Sequence, residues 1–110
     1  MDLKTVDWHD LPLVSLAITD NAVVLVVTPY DEATSGYLSY KLTITGFAEL
    51  RLNIQSMVSS QDLANLEVAS FDWKAEPDNR ISGSIGILSA NQGYWTVGFV
   101  NARHTVTRMG

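Results

Sequence analysis

The residues with the most chemical potential lie at the N-terminus, where two carboxylates flank a histidine next to a tryptophan, Asp7-Trp8-His9-Asp10. A second histidine, His104, lies near the C-terminus. Two imidazoles and a carboxylate can form a three-ligand metal site with an open position. Because no sequence spacing joins these residues, only the fold can assemble a small metal-dependent or acid–base enzyme from His9, His104 and a carboxylate. We favour a structural interpretation, in which Asp10 bonds backbone amides, Trp8 covers the core and His9 lies at the surface.

Two further groups of side chains are better explained by packing than by catalysis. Asp72 and Trp73 alternate along a predicted strand, so the carboxylate is expected to face solvent while the indole packs inward. The paired carboxylates of a glycosidase are therefore not expected here. Near the C-terminus, Trp95, Val97 and Phe99 share the parity of a strand that faces the core. A protein interface is the alternative interpretation of that end of the chain.

The sequence lacks the motifs of several large enzyme classes. It contains no phosphate-binding loop, no dinucleotide-binding glycine motif and no nucleophile elbow. It also contains no cysteine, which excludes disulfides, thiolate zinc sites and a cysteine nucleophile. We therefore predict a protein that is not an enzyme and that uses no metal or other cofactor.

The charge balance argues against two classes of partner. Seven basic residues oppose twelve acidic ones, which gives a net charge of −5 at pH 7. Nucleic acids and anionic membranes both need a basic surface, so neither is expected to bind. Residues 1–55 hold three basic and seven acidic residues, a balance of −4 that can attract a basic protein. Solubility is the simpler explanation of such a charge.

Nothing in the sequence predicts export or membrane insertion. The first ten residues are acidic, whereas a signal peptide begins with basic residues and continues into an apolar segment. The longest charge-free stretch, residues 81–102, is interrupted by glycine, serine and asparagine and cannot form a membrane helix. We therefore expect a cytoplasmic protein.

Alternation of apolar and polar residues predicts a single all-β domain over residues 1–110. It is clearest in residues 37–44 and 47–55, two half-buried antiparallel strands that a tight connection at Gly46 is expected to join. Their predicted inward faces are Leu38, Tyr40, Leu42 and Ile44 in the first, and Ala48, Leu50, Leu52 and Ile54 in the second.

Five further runs are predicted strands: residues 13–19, 22–28, 67–74, 80–88 and 94–106. Asp20-Asn21 predicts a hairpin turn between the first two, and the second is apolar on both faces, as in a central strand. Pro77-Asp78-Asn79 predicts another turn. Gly83 and Gly86 are expected to mark a bend, a bulge or a close backbone approach.

About seven antiparallel strands with short connections predict a mainly β fold, either a meander-like sandwich or a partly closed barrel. At most one short helix is expected, near residues 59–66, where Ser59 can cap it. A closed barrel of this length fills with its own side chains, so a large small-molecule cavity is not expected.

The opening of the chain carries a resemblance. Trp8-His9-Asp10 is followed by apolar positions that lead into the first hairpin, namely Leu13, Leu16 and Ile18. This layout resembles small bacterial all-β domains in which an aromatic-His-Asp triplet precedes a meander that ends in an aromatic-containing strand, here residues 98–102. Several such domains are grouped with predicted immunity proteins of polymorphic toxin systems. The resemblance implies a bacterial cytoplasmic protein that binds another protein and performs no chemistry.

These observations predict a non-enzymatic domain that binds a protein, in its most specific form an inhibitor of a cognate toxin with a basic surface. The triplet is included among the predicted binding residues because of the resemblance, which leaves open whether it binds the partner or holds the fold. The acidic loop after Pro29 is included because of its charge. The predicted partner-binding residues are Trp8, His9, Asp10, Asp31 and Glu32. Two alternatives stay open: the enzyme built on His9 and His104, and a self-associating structural domain that buries residues 22–28 and the run from Tyr94 against a second copy.

Overall fold

Residues 3–54, 66–89 and 94–109 are described by the computed structural model, and within these ranges they form nine β-strands. The strands are β1 Leu11–Ile18, β2 Ala22–Val27, β3 Tyr30–Asp31, β4 Gly36–Tyr37, β5 Ser39–Thr45, β6 Glu49–Ile54, β7 Leu66–Glu76, β8 Arg80–Ser89 and β9 Tyr94–Met109. Short 3-10 turns, Leu3–Thr5 and Pro77–Asn79, precede β1 and join β7 to β8. The predicted helix lies outside the described residues, apart from Leu66, which begins β7. In the ranges given, no helix has the length and apolarity to cross a bilayer.

Six strands close into an antiparallel barrel in the order β5-β2-β1-β7-β8-β9, and β9 returns to pair with β5. Two three-stranded meanders, β1-β2-β5 and β7-β8-β9, face each other in this ring. The predicted all-β fold is confirmed, as are the hairpins predicted at Asp20-Asn21 and at Pro77-Asp78-Asn79. β2 is central between β1 and β5. The residues before β5 depart from the prediction, because Tyr37 pairs with Tyr30 in a separate β3–β4 hairpin.

The predicted tight connection between β5 and β6 is a bend, and the two strands do not pair with each other. Both pair with β9, β5 along residues 103–109 and β6 along residues 95–100. Thr45 lies opposite Arg103 and Glu49 opposite Val100, so three residues on one side face two on the other. Alternation predicts that each run is a strand, but it carries no information about which strand is its neighbour.

The predicted inward face of β6 is only partly buried. Leu50 packs against the core, whereas Ala48 is exposed and Leu52 is 50% exposed. β6 lies outside the closed ring, so among the described residues no second barrel wall covers its face. By contrast, the predicted inward residues Tyr40, Leu42 and Ile44 of β5 are buried because β5 belongs to the ring.

β9 changes its inward parity at the bend. Trp95, Val97 and Phe99 are buried as predicted, and beyond Asn101 the buried positions become Ala102 and Val106. Asn101 takes a left-handed conformation with φ of 54°. A left-handed residue in a strand shifts the alternation by one position and bends the chain. One long strand can therefore present apolar side chains to the barrel interior along both of its halves.

A small hydrogen-bond network fixes this bend. The Arg80 guanidinium donates from Nη1 to the carbonyl oxygens of Asn101 at 3.0 Å and of Gly46 at 3.2 Å. The backbone N–H of Asn101 donates to Oγ of the buried Ser82 at 2.9 Å. Gly46, like Asn101, is left-handed, with φ of 63°. Arg80 thus joins the bend of the β5–β6 connection to the bend of β9.

β8 passes very close to β7 at Gly83, which is one of the three alternatives that the sequence leaves open there. A Cβ at this position would lie 2.3 Å from the carbonyl oxygen of Asp72 and 3.0 Å from the Cα of Trp73. Only glycine fits without moving the backbone of β7. Gly86 lies opposite Ser70, beside the register shift between Val68 and Ser70.

We expect Gly83→Ala to destabilise the fold by roughly 1–3 kcal/mol, because the methyl group must displace backbone and not a flexible side chain. Gly98→Ala is the matched control, since its Cβ would meet nothing closer than 3.8 Å. Chemical denaturation of both variants measures the difference. Equal unfolding free energies would show that the strands separate at Gly83 without cost.

We expect Arg80→Lys to lower the unfolding free energy by about 1 kcal/mol, since both hydrogen bonds come from Nη1 and the shorter lysine side chain ends before that position. Arg51→Lys is the control, because Arg51 is exposed and, among the described residues, pairs with Glu49. Urea denaturation compares the two variants. A larger effect at Arg51 would contradict the assignment of Arg80 as the residue that fixes the bend.

Candidate functional site

Trp8 is a core residue that anchors the N-terminal segment. Its side chain is 5% exposed, and its indole N–H donates to the carbonyl oxygen of Leu3 at 2.8 Å. The ring meets Phe71 edge-on at 5.5 Å between centroids, and Phe71 in turn contacts Trp73 and Phe99. Trp8 therefore packs on the core, as the structural interpretation of the triplet expects, and little of its surface is left for a partner.

His9 and Asp10 lie at the surface beside this anchor. Nδ1 of His9 is 3.0 Å from Oδ2 of Asp10, and both side chains are well exposed. The structural interpretation predicts that Asp10 accepts backbone N–H groups. In this segment the accepting carboxylate is instead that of Asp7, which accepts the backbone N–H of His9 at 3.2 Å. Asp10 is left-handed, with φ of 52°, and it turns the chain into β1.

A cleft of about 300 Å³ separates this segment from β7. Its walls are consecutive residues on both sides, 6–9 and 70–73, and we name it the N-terminal cleft. The residues that border it include four polar ones, Asp7, His9, Ser70 and Asp72, and three aromatic ones, Trp8, Phe71 and Trp73. Asp72 is exposed while Trp73 packs against the core, which confirms the predicted alternation.

The cleft exists because the ladder between β1 and β7 is short. Among the described residues, two pairs join the strands, Leu11 with Val68 and Pro12 with Glu67. Before Leu11 the left-handed Asp10 carries the chain out of the ladder, so residues 6–9 run beside β7 without pairing to it. Consecutive residues of β7 point to opposite faces of the sheet, and all four therefore border a cleft that follows the edge of the strand.

His104 lies elsewhere. It borders a second cleft, of about 220 Å³, together with Glu76 and Arg80, and its Nδ1 is buried without a hydrogen-bond partner among the described residues. His9 and His104 thus belong to different clefts. Within residues 3–54, 66–89 and 94–109, no three His, Asp or Glu side chains are grouped so that they could hold a metal ion. The set proposed for the enzyme alternative is not brought together.

The acidic loop forms a structured arm, residues 30–37, which we name the tyrosine hairpin. The rings of Tyr30 and Tyr37 meet edge-on at 5.3 Å, although the two residues are 56% and 69% exposed. The Asp31 carboxylate is engaged within the loop, where it accepts the backbone N–H of Ala33 at 3.2 Å and the hydroxyl of Thr34 at 2.8 Å. Glu32 is exposed at the surface of the hairpin.

The sequence pattern predicts a polar loop over residues 30–36 with two acidic residues, and it predicts that Tyr37 begins a barrel strand. The two tyrosines are therefore not predicted to pair. The available signal was the symmetric placement of the tyrosines around Asp31–Gly36, a stretch rich in turn-forming residues. Cross-strand aromatic pairs stabilise short hairpins, so this pattern favours a hairpin over an irregular loop.

Comparison of the chain with protein-family models, with curated proteins and with solved structures found no match. The clefts and the tyrosine hairpin are therefore the features that bear on function.

We expect Trp8→Phe to lower the unfolding free energy by roughly 1–3 kcal/mol, because the carbonyl of Leu3 loses its buried donor and the core loses volume. His9→Ala should stay within about 0.5 kcal/mol of the wild type, since the imidazole is exposed. Thermal and chemical denaturation of both variants measure this contrast. If Trp8→Phe unfolds like the wild type, Trp8 does not hold the fold and a binding role becomes the better explanation.

Proposed function

We propose that this protein is a non-enzymatic domain that binds another protein, with the tyrosine hairpin as its principal contact. The observation that carries the proposal is the exposed aromatic pair of Tyr30 and Tyr37 on an arm outside the barrel ladder. Tyrosine is enriched at protein interfaces because it offers a large rigid contact area and a hydroxyl that can hydrogen-bond. The edge-to-face contact stabilises the hairpin, and more than half of each residue stays exposed and open to a partner.

The charge around the hairpin supports a partner with a basic surface. Asp31 is committed to the loop, so Glu32 is the exposed carboxylate of the arm that can meet a positive group. The N-terminal half of the chain, which includes this hairpin, has a balance of −4, from three basic and seven acidic residues. Such a field speeds the approach of a basic protein more than it strengthens the final complex.

The more specific proposal is that the partner is a cognate bacterial toxin, which the protein inhibits in the cytoplasm. Its support is the resemblance of the Trp8-His9-Asp10 opening and the following hairpin to predicted immunity proteins, together with the acidic balance of the chain. In this proposal Trp8 holds the segment in place, while His9 and Asp10 extend the exposed surface beside it.

We expect Tyr37→Ala to weaken the complex by about 2 kcal/mol or more, roughly 30-fold in Kd, if the ring is buried at the centre of the interface. The partner is first isolated on immobilised wild-type protein from the native host and identified by mass spectrometry. Binding of the purified partner is then measured kinetically. Leu52→Ala, an exposed apolar residue on β6, is the control and should leave Kd unchanged.

In the same measurements Glu32→Lys should lower the association rate several-fold at low salt and less at high salt. Asp20→Lys, an equal charge change in the exposed β1–β2 turn, should have a smaller effect. A partner that binds both hairpin variants as tightly and as fast as the wild type would rule out this surface. Recovery of a stable homodimer alone would favour the self-associating domain instead.

A further inference from the structure

We propose that the N-terminal cleft is a binding site for the guanidinium group of an arginine side chain. The inference depends on the proposed function only for the source of that arginine, which a basic protein partner would supply. The residues of the tyrosine hairpin do not take part in this site.

The first support is the placement of charge on the two walls. Asp7 lies on the N-terminal segment and Asp72 on β7, so a ligand between them meets a carboxylate from each side. Among the described residues that border the cleft there is no lysine or arginine, and Nζ of the neighbouring Lys74 lies 3.5 Å from Oε1 of Glu76. Over the same ranges neither aspartate takes part in an ion pair, and the Asp7 carboxylate accepts the backbone N–H of His9. Within the described part of the chain, a cation in the cleft would therefore meet two carboxylates that no basic side chain neutralises.

The second support is the aromatic character of the same cleft. Trp8, Phe71 and Trp73 form a connected edge-to-face cluster, with ring centroids 5.5 Å and 4.9 Å apart. Trp73 is only partly buried, so part of its indole is open to a ligand. A cation beside an indole ring is attracted by the negative ring face, and partial exclusion of water strengthens that attraction.

The combination favours arginine over lysine. A guanidinium is planar, so it can lie against an aromatic ring while its N–H groups donate to carboxylates on either side. An ammonium is more strongly hydrated and offers no planar surface. The Ser70 hydroxyl adds a neutral hydrogen-bonding group, and the imidazole of His9 is already paired with Asp10 at the rim.

The test uses the full chain and a small probe, Nα-acetyl-arginine methylamide, with its neutral citrulline analogue as the matched ligand control. The indole N–H signals of Trp8 and Trp73 report on the cleft by NMR, and that of Trp95, which does not border it, is the internal reference. We expect saturable shifts of the first two signals in the millimolar range with the arginine probe and none with citrulline. Added salt should weaken this binding.

Asp72→Asn and Asp7→Asn should each weaken probe binding roughly fivefold, because each removes one charge while keeping the shape of the side chain. Asp78→Asn is the control, since it removes an equal charge at the turn between β7 and β8, and Asp78 does not border the cleft. Equal binding of the citrulline probe, equal loss in the Asp78 variant, or no saturable shift up to about 50 mM probe would each overturn the inference. The probe does not require the partner, so failure here leaves the tyrosine hairpin proposal standing, and the reverse also holds.

Discussion

The architecture depends on the bend of β9 at Asn101, which the guanidinium of Arg80 stabilises. β9 is shared by both halves of the barrel, so it must bend between its pairing with β8 and its pairing with β5. The bend requires left-handed backbone at Asn101 and a matching bend at Gly46, and it takes backbone groups out of regular ladder geometry. Arg80 donates to one carbonyl in each bend, and Ser82 accepts the amide of Asn101. Barrel closure, the change of inward parity along β9 and the exclusion of β6 from the ring all follow from this bend.

The local parts of the fold could be predicted from the sequence, whereas the closure of the barrel could not. Alternation and turn residues are properties of neighbouring positions, and they gave the β1–β2 and β7–β8 hairpins and the inward faces of β5 and β9. The pairing of β5 with β9 joins residues more than fifty positions apart, and nothing in either alternation selects that partner. Leu52 shows the same limit, because its periodicity places it on an inward face that the barrel does not cover.

The candidate sites divide in a similar way. The acidic residues Asp31 and Glu32 and the triplet around His9 stand out in the sequence, and residue type alone places Trp8 in the core and His9 at the surface. The N-terminal cleft needs Asp7 and Asp72, which lie 65 positions apart, and local sequence carries no sign that they border the same cleft. The tyrosine pair was within reach of sequence reasoning, since its two members flank one short turn.

Counted over the described residues, the ladder between β1 and β7 has two pairs, fewer than any other junction of the ring. Regions joined by few backbone hydrogen bonds open by local fluctuation at a lower free energy than global unfolding. The indole of Trp8, which donates to the carbonyl of Leu3 and packs edge-on against Phe71, joins the N-terminal segment to β7 beside that junction. Amide hydrogen exchange at Leu11 would therefore proceed through partial opening of the barrel, while exchange in the long β7–β8 ladder, to which Val68 also belongs, requires a larger opening.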